Sequence, residues 1–220
     1  MSDMPQHVLA RAAEGFFEVH GDNFRGVGWT KSQADTDLRY QVMLELVKRE
    51  SDGPVELLDL GCGLAHLYEY IQRNPPNPPV RYSGLDVSSK LLAVARRKFP
   101  ELTFYEHDVL ASIEDLPRFD YVVLNGVFTY RVDISYERML AYWQDLLLQV
   151  FPLARKGLAF NVMSTAVDWE RDDLFHLPID VVTTFVTERL SRRFVIRHDY
   201  PLYEYTTYVY REDRASASTT

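Results

Sequence analysis

The chain has 220 residues, 46% of them hydrophobic and 25% charged, and a formal net charge of −8. That length supports one sizeable core, the single Cys62 excludes an internal disulfide and argues against a cysteine-held metal, and no apolar run approaches the roughly 20 residues that span a bilayer. The acidic balance argues against nucleic acid as a partner, because nucleic-acid binders carry a basic patch or stripe; the densest basic run, Arg96-Arg97-Lys98, ends a predicted helix, where cations complement the dipole.

Met1 to Pro5 lacks the basic and apolar regions of a signal peptide, so a cytoplasmic protein is expected. Residues 1–50 read as an N-terminal helical cap, 51–211 as the core of the same domain, and 212–220, rich in Ser, Ala and Thr, as a disordered tail. Within the cap, His7 to His20 is a first helix. A Gly-containing loop through Trp29 follows, and Leu38, Val42 and Leu46 mark a second helix between about Thr30 and Glu50. Ser51-Asp52-Gly53-Pro54 stops it.

Strands and helices then alternate. Val55 to Leu60 is a strand and Leu64 to Arg73 a helix, broken by the Pro-rich connector Asn74 to Pro79. Val80 to Val87 is a second strand. Ser88 and Ser89 cap a helix reaching Lys98. Leu102 to His107, Phe119 to Asn125 and Gly157 to Met163 are further strands, with a helix over Ser135 to Phe151 between the last two. After a helix over Pro178 to Leu190, Arg193 to His198 and Tyr203 to Tyr210 are joined too closely for a parallel crossover and must be antiparallel. The expected fold is a seven-stranded, mostly parallel Rossmann-like α/β sheet with helices on both faces and an antiparallel C-terminal hairpin.

The chemistry concentrates at the carboxyl ends of the first strands. Leu57-Leu58-Asp59-Leu60-Gly61-Cys62-Gly63 passes from an apolar run into a glycine turn, where backbone can approach a ligand closely. Asp86 ends the second strand, placed to accept from ribose hydroxyls, and Asp108 beside Val109 ends the third. One acid at a strand end is ordinary turn chemistry; three in succession beside Gly61 and Gly63 point to an adenosine-containing ligand. No phosphate-binding P-loop is present. A dinucleotide site needs a small residue where this chain has His66, so a ligand without a pyrophosphate fits better.

These residues resemble the class I S-adenosylmethionine-dependent methyltransferases. Leu57 to Gly63 resembles their first motif, Tyr82 to Ser88 the second-strand motif, His107 to Leu110 the adenine-contacting segment and Phe119 to Gly126 the fourth-strand motif. Ala65 stands where many members have a third glycine. The resemblance implies that Gly61, Cys62 and Gly63 pass the methionine part of the cofactor and that Asp59 orients their loop. It places Asp86 and Val87 at the ribose, Asp108 and Val109 at the adenine, Asn125 near the methionine amino group, Trp29 over the site and Arg39 at the cofactor carboxylate.

A sulfonium is already an activated methyl donor, so positioning carries most of the catalysis and no metal is expected. The expected acceptor is a small molecule taking the methyl on N or O, in a pocket walled by Phe128, Tyr130, Trp169 and Tyr203, with Phe175 and Tyr205 as further candidates. The polar loop after the fifth strand supplies His176 and Asp168 as candidate bases; His20 is a lesser one. Alternatives are a non-catalytic S-adenosylmethionine-binding partner subunit and an NAD-dependent oxidoreductase.

Overall fold

The chain's computed structural model describes residues 4–29, 32–49 and 53–211. The expected helix limits at Thr30 and Glu50, and the tail over 212–220, lie outside the described residues.

Seven strands form one sheet: β1 (Val55–Leu60), β2 (Val80–Asp86), β3 (Thr103–Glu106), β4 (Phe119–Phe128), β5 (Ala154–Met163), β6 (Phe194–Arg197) and β7 (Glu204–Tyr210). Their spatial order is β3-β2-β1-β4-β5-β7-β6. The first five strands pair in parallel, and β7 inserts antiparallel between β5 and β6. The helices are α1 (Pro5–His20), α2 (Gln33–Leu44), α3 (His66–Arg73), α4 (Ser89–Lys98), α5 (Tyr136–Val150) and α6 (Ile179–Arg189). The second cap helix is shorter than the apolar spacing suggests, because the chain tightens into a 3-10 helix over Glu45–Arg49.

The period of two along the strands divides the core between the two faces. Leu58, Val122 and Leu124 point to the side built with Trp143, Leu147 and Val186 of α5 and α6. Leu57, Tyr121 and Val123 point to the other, with Tyr40 and Met43 of α2 and Leu67 and Ile71 of α3. Strands buried on both faces explain the near-continuous apolar runs. Ser88 starts α4 as its N-cap, its hydroxyl accepting from Leu91 N at 3.1 Å.

Two features position the site. Strand order reverses between β1 and its neighbours β2 and β4, which opens the crevice where open α/β sheets bind ligands. Strand β4 also runs three residues past the expected Asn125 and carries a register shift against β5 between Leu124 and Phe128. The bulged residues Asn125, Gly126 and Val127 turn toward that crevice.

Candidate functional site

A cavity of about 180 Å³ lies at the carboxyl ends of β1, β2 and β4. Its floor is the turn after β1. Gly61 (φ +77°) and Gly63 (φ +50°) take left-handed backbone, as does Ala65 (φ +60°), so the motif's third glycine position keeps its conformation here at the cost of a Cβ. The turn is held by Asp86, whose Oδ2 accepts from Gly63 N and whose Oδ1 accepts from Ser88 N, both at 2.9 Å.

Asp59 was expected to orient this loop. Its Oδ2 instead accepts from the Tyr82 hydroxyl at 2.7 Å. Burial lifts its carboxyl to about 7, against the Tyr82 bond and with the help of nearby Asp86. Asp86 is raised too, chiefly by burial and in spite of the amides of Ser88 and Gly63. Cys62 lines the same floor, and burial among these acids pushes its thiol up, so it is an inert wall.

The ceiling is α1. Gln6, Leu9, Ala13 and Phe16 face the cavity, and the helix is tied to the strand ends beneath it. Gln6 Nε2 donates to Asp108 Oδ2 at 2.9 Å, the Ser88 hydroxyl donates to Glu14 at 2.5 Å, and Lys90 pairs with Glu18. Two buried polar atoms among the lining residues, Gln6 Oε1 and Asn125 Oδ1, have no protein partner. Buried polar atoms are normally satisfied, so such orphans indicate ligand contacts. At the cavity's edge His66 Nε2 lies 2.7 Å from Asp22 Oδ1. Asp22, His66 and Glu69 converge, but the Lys98 ammonium sits among them, 3.0 Å from Asp22 and 2.5 Å from Glu69, and already fills the cation position. His66 and Lys98 hold the Asp22 carboxyl down at about 2.

A second, smaller cavity adjoins the first and shares Trp29 and Tyr130 with it. Arg39, Thr129, Trp169, Arg171 and Tyr203 complete its walls. Arg39 stacks on Trp29 with its guanidinium carbon 4.3 Å from the ring centroid. Its Nε donates to Glu204 Oε2 at 2.9 Å. Glu204 Oε1 accepts from Asn161 Nδ2 at 3.0 Å, and Asn161 Oδ1 accepts from Gly126 N at 2.8 Å. This buried chain fixes Trp29 against Gly126 at the boundary between the two cavities.

Residues 58–157 match the family described as "Methyltransferase domain". The matched segment runs from β1 into β5 and holds the Gly61–Gly63 turn, Asp86, Asp108 and Asn125. Protein Rv1506c of Mycobacterium tuberculosis, named as a methyltransferase, is 28% identical over 158 residues, covering 71% of this chain and 93% of its own length. Among solved structures, the magnesium protoporphyrin IX methyltransferase of Synechocystis with bound S-adenosylmethionine superposes with a TM-score of 0.61 at 15% identity, over 93% of this chain and 97% of that one. DhpI in complex with S-adenosylhomocysteine gives 0.59 at 16% identity, over 94% and 98%. Both share the fold.

Against the methyltransferase expectations, Asp59, Gly61, Cys62, Gly63, Asp86, Val87, Asp108, Val109, Asn125 and Trp29 all line the first cavity. Tyr130, Trp169 and Tyr203 line the second. Four assignments are corrected by geometry. Arg39 lines the second cavity, turned from the cofactor position by Glu204. Phe128 is fully buried beside Tyr142 and Phe160 and lines neither cavity; Phe175 and Tyr205 are core as well. His176 is structural: its Nδ1 lies 2.7 Å from the Ser164 carbonyl and its Nε2 accepts from Arg171 N at 3.4 Å, so both nitrogens are spent on the loop. Asp168 is exposed and lines neither cavity.

Sequence reading missed Gln6, Phe16, Thr129 and Glu204. Gln6 and Phe16 lie on a helix whose apolar spacing announces a buried face but not what it covers. The signal available for Glu204 was an acid inside an otherwise apolar and aromatic strand.

Proposed function

We propose that the protein binds S-adenosylmethionine in the first cavity and transfers its methyl group to an N or O atom of a small molecule held in the second. In this reading the backbone at Gly61 and Gly63 passes the methionine part, Asp86 and Val87 take the ribose, and Asp108 and Val109 take the adenine. Asn125 Oδ1 accepts from the amino group. The observation that carries the reading is the pair of orphaned atoms, Asn125 Oδ1 and Gln6 Oε1, in a cavity that three acids and two histidines line, all buried or half-buried. The donor is a cation, and an acid-lined cavity suits it.

The residues also suit what the cofactor supplies, a methyl on a good leaving group. They hold and align; Trp29, Gly126 and Tyr130 mark the boundary across which the two reactants meet. Alignment of this kind contributes up to ~7–11 kcal/mol in favourable intramolecular cases. Titration calorimetry with S-adenosylmethionine and S-adenosylhomocysteine tests the reading: both should bind one per chain, and binding by neither refutes it.

A further inference from the structure

The second cavity has an unusual inventory for an acceptor site. Among the described residues its lining holds two guanidiniums, of Arg39 and Arg171, one orphaned hydroxyl and four aromatic rings, but no carboxylate and no histidine. The hydroxyl is that of Thr129, 6% exposed and with no protein partner for its Oγ1. The aromatic wall is ordered: Trp169 and Tyr203 meet edge to face with centroids 5.2 Å apart, and the Tyr130 hydroxyl is committed to the Gly28 carbonyl at 2.9 Å. Burial raises the Tyr130 phenol, which keeps it a donor and not a base.

Nucleophile chemistry narrows what such a pocket can serve. An amine arrives as an ammonium and a phenol arrives protonated, so each needs a base to release its lone pair. No lining residue can act as one. A carboxylate is already ionised at neutral pH and needs none. It also needs donors, and donors are what the pocket offers. A guanidinium has five N–H groups. Arg171 gives one from Nε and one from Nη2 to Asp173. Arg39 gives one to Glu204 and one to the Asp35 carbonyl. Both retain donors. The Arg171–Asp173 pair is half exposed, 49% and 43% for the two side chains, and a pair so exposed exchanges partners readily.

From this juxtaposition we infer that the acceptor is a carboxylate borne on a flat or apolar body, and that the product is its methyl ester. The inference rests on the methyl-transfer reading above and deepens it. Arg171 and the Thr129 hydroxyl bind the carboxylate, Arg39 holds Trp29 beneath it, and Trp169 and Tyr203 take the apolar body. The balance closes without a proton: a carboxylate lone pair forms the O–CH3 bond, the methyl–sulfur bond breaks with its electrons going to sulfur, and the −1 of the acceptor cancels the +1 of the sulfonium. A pocket with no base is then complete.

The test uses the full chain and S-adenosylmethionine tritiated on the methyl group. Benzoate, phenylacetate and cinnamate are each paired with a phenol, alcohol or amine of the same skeleton, and the small-molecule fraction of a cell lysate is run beside them. Products are treated with mild alkali, which hydrolyses methyl esters to volatile methanol and leaves ethers and N-methyl groups intact. Alkali-volatile counts from the carboxylates or the lysate fraction are expected. Alkali-stable counts alone overturn the ester inference while leaving methyl transfer standing. Cofactor binding without transfer to any acceptor overturns it as well, and absence of cofactor binding removes both readings.

A readout independent of turnover is calorimetric binding of cinnamate to the S-adenosylhomocysteine-loaded protein. Arg171→Gln should weaken it by about ten- to a hundredfold, the range for a hydrogen bond to a charged group. Cofactor affinity should not change, because Arg171 does not line the first cavity. Equal cinnamate affinity in parent and variant overturns the assignment of Arg171.

Discussion

Replacing Asp59 by Asn should stabilise the ligand-free protein, and by an amount that depends on pH. Asp59 is 3% exposed, and its carboxyl is lifted from the ordinary 3.8 to about 7. The native state therefore holds this proton more tightly than the unfolded chain does. Between about pH 4 and pH 7 the unfolded chain binds fewer protons, so stability falls as pH rises through that window and is flat above it. At about 1.4 kcal/mol per tenfold change in proton affinity, a lift from 3.8 to about 7 corresponds to about 4 kcal/mol, an upper figure. Asn copies the neutral form and can still accept from Tyr82. Urea unfolding of parent and Asp59→Asn from pH 4 to pH 8 should show a gain near zero at pH 4 that grows to as much as about 4 kcal/mol at pH 8. In a chain of this size that is about 8–16 °C in Tm. A gain independent of pH, or a loss at pH 8, would refute the reasoning. Tyr82→Phe should act in the opposite sense, removing a donor to the ionised form and moving the window upward.

The same proton should report on ligand. A cationic cofactor favours ionised Asp59, so binding at pH 6 should release up to about one proton, seen as a dependence of the calorimetric enthalpy on buffer ionisation heat; Asp59→Asn should abolish it. Glu204→Ala leaves Arg39 without its buried partner and should cost about 3–5 kcal/mol in chemical unfolding, while Arg39→Leu with Glu204→Leu recovers most of that; a single variant within about 1 kcal/mol of parent rules out the network as a structural tie. Gly126→Ala forces a Cβ into the left-handed region at φ +79° and within 2.8 Å of the Trp29 ring. It should cost about 1–3 kcal/mol and shift tryptophan fluorescence; an unchanged emission spectrum would mean that Trp29 does not pack there.

The alternation of apolar runs and turn chemistry made the sheet readable without coordinates. Strand β1 begins and ends where its apolar run does, because Gly53-Pro54 and the glycine turn bracket it. Asp59, Asp86 and Asp108 were findable because chain order alone puts them at one end of successive parallel strands. The acceptor side was not readable in the same way. Phe128 sits in the same buried cluster as Val122 and Leu124, the face that plain alternation gives it, and no local pattern says that helix α5 covers that face. His176 looks free in sequence, and only the folded loop shows the backbone groups that occupy its two nitrogens. Arg39 and Glu204 are 165 positions apart, so their pairing is a product of topology and not of any motif.

That separation bears on how the chain is made. Arg39 with Glu204, Glu45 with Arg197, and Val42 with the Tyr208 hydroxyl all join the early helices to the β6–β7 hairpin. During synthesis from the N-terminus, α2 and its arginine wait in water through the production of six strands. Once made, β5, whose Leu158 to Val162 segment is wholly buried in the finished fold, is an open edge able to pair with another chain until β7 follows. The antiparallel β7 closes that edge and delivers Glu204 in the same step. Nascent chains arrested between β5 and β7 should therefore be the most aggregation-prone intermediates, and the completed acceptor pocket should first become detectable when that hazard ends.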